Sequence, residues 1–135
     1  MQNKTFAIIK PDAIKNKFMG KIIDLIITNN FNILEARLIK MRESQAKEFY
    51  EIHKGKPFFD SLISYMCSGQ SLVLSIEKQN AVEEWRKLIG NTDPLKAKNG
   101  TIRKLFAESK EKNSVHGSDS DANALIETNF FFNNE

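Results

Sequence analysis

One cysteine, two histidines and six glycines are thin holdings for a chain of 135 residues, and each scarcity removes a class of chemistry. The lone thiol, Cys67, excludes an internal disulfide framework and fits a reducing compartment, so a cytoplasmic location is expected. Within Tyr65-Met66-Cys67-Ser68 it reads as a small packed hydrophobe. One cysteine and two well-separated histidines cannot build a zinc site without several carboxylates. The glycines form neither G-x-G-x-x-G nor G-x-x-x-x-G-K-[ST], since Gly20-Lys21 is followed by Ile22 and lacks the upstream glycine. If phosphate is handled here, side chains must do it. No stretch approaches the roughly 18–20 apolar residues of a membrane span. Met1-Gln2-Asn3-Lys4 enters an amphipathic pattern directly, so neither a secretory leader nor a membrane partner is expected.

Charge is nearly balanced: 20 basic residues against 17 acidic ones leave +3. Sixteen of the basic residues are lysine, in a chain also rich in Ile, Asn and Phe. All four have A/T-rich codons, so the lysines carry little argument for nucleic acid, and no nucleic-acid partner is required. The four arginines, Arg37, Arg42, Arg86 and Arg103, say more, because a planar guanidinium is a bidentate phosphate binder.

Length and composition predict a single domain over 1–135. Thr5-Phe6-Ala7-Ile8-Ile9 reads as a buried strand stopped by Pro11. Apolar residues at 22, 23, 26 and 27 have helical spacing over 19–28, closed by Asn29-Asn30. A long strand is predicted over 31–41, helices over 43–52 and 58–66, and a central strand over 71–76. Asn80 is expected to cap a helix through Leu88. Asn91-Thr92-Asp93-Pro94 marks a polar loop, followed by a helical turn or two over 101–106. A short strand is expected just before His116, and Ser120 opens a last helix, 121–130. The fold class is α+β: a ferredoxin-like α/β sandwich with a four-stranded antiparallel sheet (βαββαβ), extra helices and a long loop near 90–112.

The most telling segment is Asn113-Ser114-Val115-His116-Gly117-Ser118-Asp119-Ser120. A glycine after the histidine permits close backbone approach, and the hydroxyls and carboxylate can fix an imidazole tautomer. An oriented imidazole with one free nitrogen is a competent nucleophile. The same octet also reads as a helix N-cap beside an incidental histidine. Lys10, at the end of the first strand, can face a cleft or simply be solvated in a turn. Arg86 and Arg103 can clamp phosphate or form surface ion pairs, and Thr92 can donate a hydroxyl or merely turn the chain. His53 lies towards the end of a helical segment, where a cationic or polar side chain suits the dipole; no catalytic role is assigned to it.

Taken in series, Lys10-Pro11-Asp12, His53-Lys54-Gly55-Lys56-Pro57-Phe58-Phe59, Gly90-Asn91-Thr92-Asp93-Pro94, Gly100-Thr101-Ile102-Arg103 and Asn113-x-x-His116-Gly117-Ser118-Asp119-Ser120 resemble the nucleoside diphosphate kinase family, over roughly residues 3–132. The resemblance implies ping-pong transfer of the terminal phosphate of a nucleoside triphosphate, typically ATP, through a phosphohistidine at His116 to a nucleoside diphosphate. It implies phosphate contacts from Lys10, Arg86, Thr92 and Arg103, with Mg²⁺ held mainly by the nucleotide phosphates and no metal ligands from the protein. By the same similarity, Lys10 and Asn113 reach the ribose. Phe58 stacks on the base, giving low base selectivity among ATP, GTP, GDP and deoxynucleoside diphosphates. Tyr50 lies near the imidazole, and Glu127 with Ser118 orients it; which ring nitrogen attacks stays open.

A homo-oligomer, tetramer or hexamer, is also implied, the short tail leaving the number open. The chain departs from the family pattern with Lys56 where arginine is usual and Gln70 where proline is usual. Two other readings fit the fold less well. An RNA-recognition module needs exposed aromatics on its central strands, and 71–76 offers none. A small-ligand regulatory domain leaves Lys10, Arg86, Arg103 and His116 unexplained as a set.

Overall fold

The computed structural model describes residues 3–132. The expectations about a leader at Met1-Gln2 and about the tail from Asn133 lie outside them. Four strands, β1 (Lys4–Ile9), β2 (Asn32–Lys40), β3 (Gln70–Glu77) and β4 (Val115–Gly117), form one sheet in the order β2-β3-β1-β4. All three pairings are antiparallel, and Ile8 of β1 lies opposite Val73 on one side and His116 on the other. This is the predicted ferredoxin-like arrangement.

β1 and β3 read as continuous apolar runs because both of their faces are covered. Successive side chains of a strand point to opposite faces. Phe6, Ile8 and Val73 join one core with residues of α3 (Glu43–Phe49), α4 (Phe59–Met66) and α7 (Asp121–Phe132). Ala7, Ile9, Leu72, Leu74 and Ile76 join the other, with residues of α2 (Met19–Thr28), α5 (Ala81–Ile89) and α6 (Ile102–Phe106). β2 is one of the two edge strands and is mostly exposed, with a bulge between Ile33 and Glu35.

Three local features depart from the sequence reading. Pro11 stops β1 as expected but also opens a short helix, α1 (Pro11–Lys15), with Lys10 extended at its N-cap. Proline suits the first helical position because its φ is already helical and its missing N–H would be unpaired there. The helix predicted over 43–52 breaks at Tyr50 into α3 and a 3-10 turn, Glu51–His53. Asn80 does occupy the N-cap of α5, but in the left-handed region at φ 56° and with no side-chain cap. Ser120 caps as predicted, accepting from the Asn123 N–H at 3.1 Å.

Candidate active site

β4 has only three residues and pairs antiparallel with β1. The chain reaches it through Ser114, fully buried at φ 73°, whose carbonyl accepts from the Lys10 N–H at 2.8 Å. A non-glycine residue in this region is uncommon and needs support from its surroundings. His116 then sits within the strand rather than just after it. Gly117 packs on the fully buried Trp85: a Cβ there would lie 2.7 Å from the indole Cδ1. That same indole donates from Nε1 to the His116 carbonyl at 3.1 Å, fixing the backbone behind the imidazole.

The imidazole is one-fifth exposed, and its Nε2 lies 2.8 Å from Glu127 Oε1. Ser118 Oγ donates to the same carboxylate oxygen at 2.7 Å. An ionised carboxylate only accepts, so Nε2 carries the proton and the lone pair resides on Nδ1. Among the described residues Nδ1 has no hydrogen-bond partner. The rings of Phe49 and Phe6 meet the imidazole edge-on at 5.6 and 6.0 Å, limiting its rotation. Tyr50, at the end of α3, is buried with its hydroxyl unpartnered, and burial together with the Glu127 charge pushes its phenol up.

A second group gathers cations. Lys10 is buried and donates from Nζ to Asn113 Oδ1 at 2.9 Å, while Asn113 Nδ2 donates to the Thr92 carbonyl at 3.3 Å. Burial, then the Arg103 charge, lowers Lys10 to about 8, with Asp12 and Glu111 opposing. Arg103 donates from its two terminal nitrogens to the carbonyls of Gly90 and Val115, each at 2.9 Å. Its Nε is buried without a partner. Burial, then the charge of Arg86, lowers Arg103 to about 10, so it stays cationic at neutral pH. Gly90 needs its missing Cβ: it sits at φ 86°, and a Cβ would fall 2.6 Å from Thr101 Oγ1. Two buried like charges held by carbonyls and an amide, with no carboxylate bonded to either, form a site that attracts an anion.

The two groups meet at the backbone. Arg103 holds the carbonyl of Val115, one residue from His116, and Lys10 binds the carbonyl of Ser114 through its own N–H. Arg86, on the last turn of α5, and Thr92, on the long loop, are exposed beside them. Phe58 stands apart, 45% exposed, its ring 5.3 Å from that of His53. Burial, then the Lys56 charge and last His116, lowers His53, which places it within electrostatic reach of His116. Cys67 is a free, half-buried thiol packed on the α4 side of the core, as predicted. Sequence reasoning missed Phe49, Trp85 and Asp12; only Asp12 left a trace, as the acidic residue after Lys10-Pro11. Among the described residues no cluster of three His, Cys, Asp or Glu side chains stands together.

The family model described as nucleoside diphosphate kinase matches residues 3–135. The nucleoside diphosphate kinase of Lawsonia intracellularis is 49% identical over 129 residues, 96% of this chain and 94% of the relative. That of Nitratiruptor sp. is 50% identical over the same length, with the same shares. Among solved structures, the Aquifex aeolicus nucleoside diphosphate kinase superposes with a TM-score of 0.94 at 35% identity, covering 98% of this chain and 96% of that one. A halophilic nucleoside diphosphate kinase from Halobacterium salinarum in complex with CDP gives 0.95 at 31% identity, covering 99% and 90%.

Proposed function

The chain belongs to the nucleoside diphosphate kinase family, enzymes that move phosphate between nucleotides, and from that premise we propose that His116 is the phosphoryl carrier, attacking through Nδ1. The observation that carries this reading is the Glu127 contact at Nε2, which leaves the other nitrogen with its lone pair, on a strand whose Val115 carbonyl is held by Arg103.

In the first half-reaction the Nδ1 lone pair forms an N–P bond to the terminal phosphorus of a nucleoside triphosphate. The bridging P–O bond breaks, and its electron pair leaves on the nucleoside diphosphate. The second half-reaction runs the same path backwards onto a different diphosphate, which gives ping-pong kinetics. Phosphoryl transfer asks chiefly for positioning and charge neutralisation. Lys10, Arg86 and Arg103 supply cations to the phosphate oxygens, and Thr92 a hydroxyl. The ring gains positive charge as it attacks, and Glu127, itself held by Ser118, stabilises that charge without touching the nucleotide. Tyr50 keeps a neutral hydroxyl within electrostatic reach of Glu127. Lys10 and Asn113 reach the ribose, and Phe58 stacks on the base without selecting it.

Mg²⁺ fits this donor set as the nucleotide's own ion. The cleft offers ammonium, guanidinium, amide and hydroxyl groups but no converging carboxylates, so the phosphates would hold the ion, which neutralises their charge. ATP, GTP, GDP and deoxynucleoside diphosphates all carry the polyphosphate that these groups engage. The chain is further read as one domain over 1–135, assembling as a tetramer or hexamer in the cytoplasm. Among the described residues no helix is long and apolar enough to cross a membrane.

The test uses γ-labelled ATP with Mg²⁺. After nucleotide is stripped, the protein should retain acid-labile, alkali-stable label, and His116→Ala should lose both the label and transfer to GDP. Normal transfer by His116→Ala would sink the proposal. Light scattering reads the subunit number.

A further inference from the structure

Behind the cationic cleft lies a buried polar contact that the reaction scheme does not use. Asp12, in the first turn of α1, is 5% exposed, and Tyr65 of α4 is 7% exposed. The Tyr65 hydroxyl donates to Asp12 Oδ1 and accepts from the Asp12 N–H at 3.2 Å, so each residue satisfies the other. Asp12 Oδ2 lies 3.5 Å from the hydroxyl of Ser114, the buried residue held at φ 73°. The residue before Pro11 is Lys10, and the residue before Ser114 is the Asn113 that holds Lys10 Nζ. One carboxylate therefore touches both backbone segments that carry the Lys10–Asn113 pair.

We propose that Asp12, clamped by Tyr65, is a positioning residue of the phosphate site, fixing the α1 turn and the Ser114 turn so that Lys10 is held in its aim by Asn113. This inference rests on the reading of Lys10 as a phosphate-binding residue.

Two further observations support it. α1 has only five residues and no side-chain cap, so its own hydrogen bonds cannot hold it firmly; an isolated helix of that length is unstable. The Tyr65 hydroxyl supplies the missing fixture from α4, 53 positions along the chain. The charges facing Lys10 are Arg103 from α6, Asp12 from α1 and Glu111 from the segment before β4, with neutral Asn113 as its direct partner. Burial and Arg103 both favour the neutral amine, and Asp12 is the larger of the two opposing charges. Burial and the bond to Asp12 push the Tyr65 phenol up, so it stays a neutral donor.

The test titrates Lys10 directly in the full chain carrying ¹³C-labelled lysine, its Cε signal assigned by difference against Lys10→Arg. The wild-type midpoint is expected near 8. In Asp12→Asn it should fall by about one pH unit, the usual scale for losing a nearby opposite charge, and the alkaline limb of kcat/KM should move with it. Tyr65→Phe keeps the ring and the carboxylate but removes both hydrogen bonds that fasten α1; it should lower kcat at least about fivefold, the scale of a single buried hydrogen bond, with KM within about twofold.

An unmoved Lys10 midpoint in Asp12→Asn overturns the inference, and so does an unchanged kcat in Tyr65→Phe. If Asp12→Asn fails to fold, Tyr65→Phe decides alone. Wild-type protein that shows the Lys10 titration but no phosphate transfer would refute the proposed function and leave this clamp standing.

Discussion

Replacing Glu127 by glutamine tests the role of the imidazole's partner with little change of shape. Glu127 Oε1 accepts from both His116 Nε2 and Ser118 Oγ. Glutamine keeps one acceptor oxygen but loses the charge that stabilises the ring as it becomes cationic. A hydrogen bond to a charged group contributes about 1.5–3 kcal/mol. Both side chains are one-fifth exposed, so solvent screens part of this and the lower half of the range applies. At about 1.4 kcal/mol per tenfold, Glu127→Gln should slow each half-reaction about 10- to 50-fold. KM should change little, because Glu127 is not among the groups assigned to the nucleotide. Trp85, the sole tryptophan, is bonded to the His116 carbonyl, so its fluorescence in a stopped-flow mixer can follow phosphorylation and dephosphorylation separately. Rates within twofold of wild type in both directions would refute the reasoning. An effect confined to KM would place Glu127 at the nucleotide instead of the ring.

Lys10→Met should abolish transfer yet stabilise the fold by about 2 kcal/mol in denaturant melts at pH 7; the gap from 10.5 unfolded to about 8 folded corresponds to roughly 3 kcal/mol, less the lost Asn113 bond. Because the unfolded chain binds the extra proton between those values, the wild type's cost is full below pH 8 and is relieved as pH rises towards 10.5, so the stability gap must close in that window. Phe58→Ala should raise KM for nucleotides about tenfold, the scale of one lost base stack, leaving kcat nearly intact in steady-state assays. Gly90→Ala forces a Cβ to within 2.6 Å of Thr101 at φ 86° and should cost about 2 kcal/mol in thermal melts, with weaker nucleotide binding because the Gly90 carbonyl also holds Arg103.

The fold was legible where burial writes directly into the sequence. β1 and β3 are apolar on both faces, and α2 keeps helical spacing over the range observed, 19–28. It was illegible where a short element draws its stability from elsewhere. α1 has five residues, and what fixes it is Tyr65, 53 positions away, which no local pattern announces. The same holds for the site. His116 and its neighbours form a recognisable string, but the contacts that give the ring its direction come from Glu127 in α7 and from Trp85 in α5. Sequence left the attacking nitrogen open because tautomer depends on that partner geometry; the Nε2–Glu127 contact is what the proposed attack through Nδ1 rests on.

The cleft's cations explain why its supports lie so deep. Lys10 and Arg103 are both buried and repel each other, and neither has a carboxylate bonded to it. A direct salt bridge would stabilise the empty protein, but every such bond would have to be broken before a polyphosphate could use the cation. Holding the cations instead by carbonyls of Gly90 and Val115 and by the amide of Asn113 keeps their direction while leaving their charge uncompensated. The folded chain is less stable for it, and on the proposed function an incoming phosphate would recover that free energy. The carboxylates that the site does employ stand behind the cations or across the imidazole: Asp12 at the turn and Glu127 at Nε2. On the proposed function each acts on a nucleophile or a cation through a contact of its own, Glu127 at the imidazole Nε2 and Asp12 at the turns that carry Lys10 and Asn113. A carboxylate introduced at a residue proposed to meet the phosphate, as in Thr92→Asp, should therefore weaken nucleotide binding, read as a raised Kd for ADP in a binding titration.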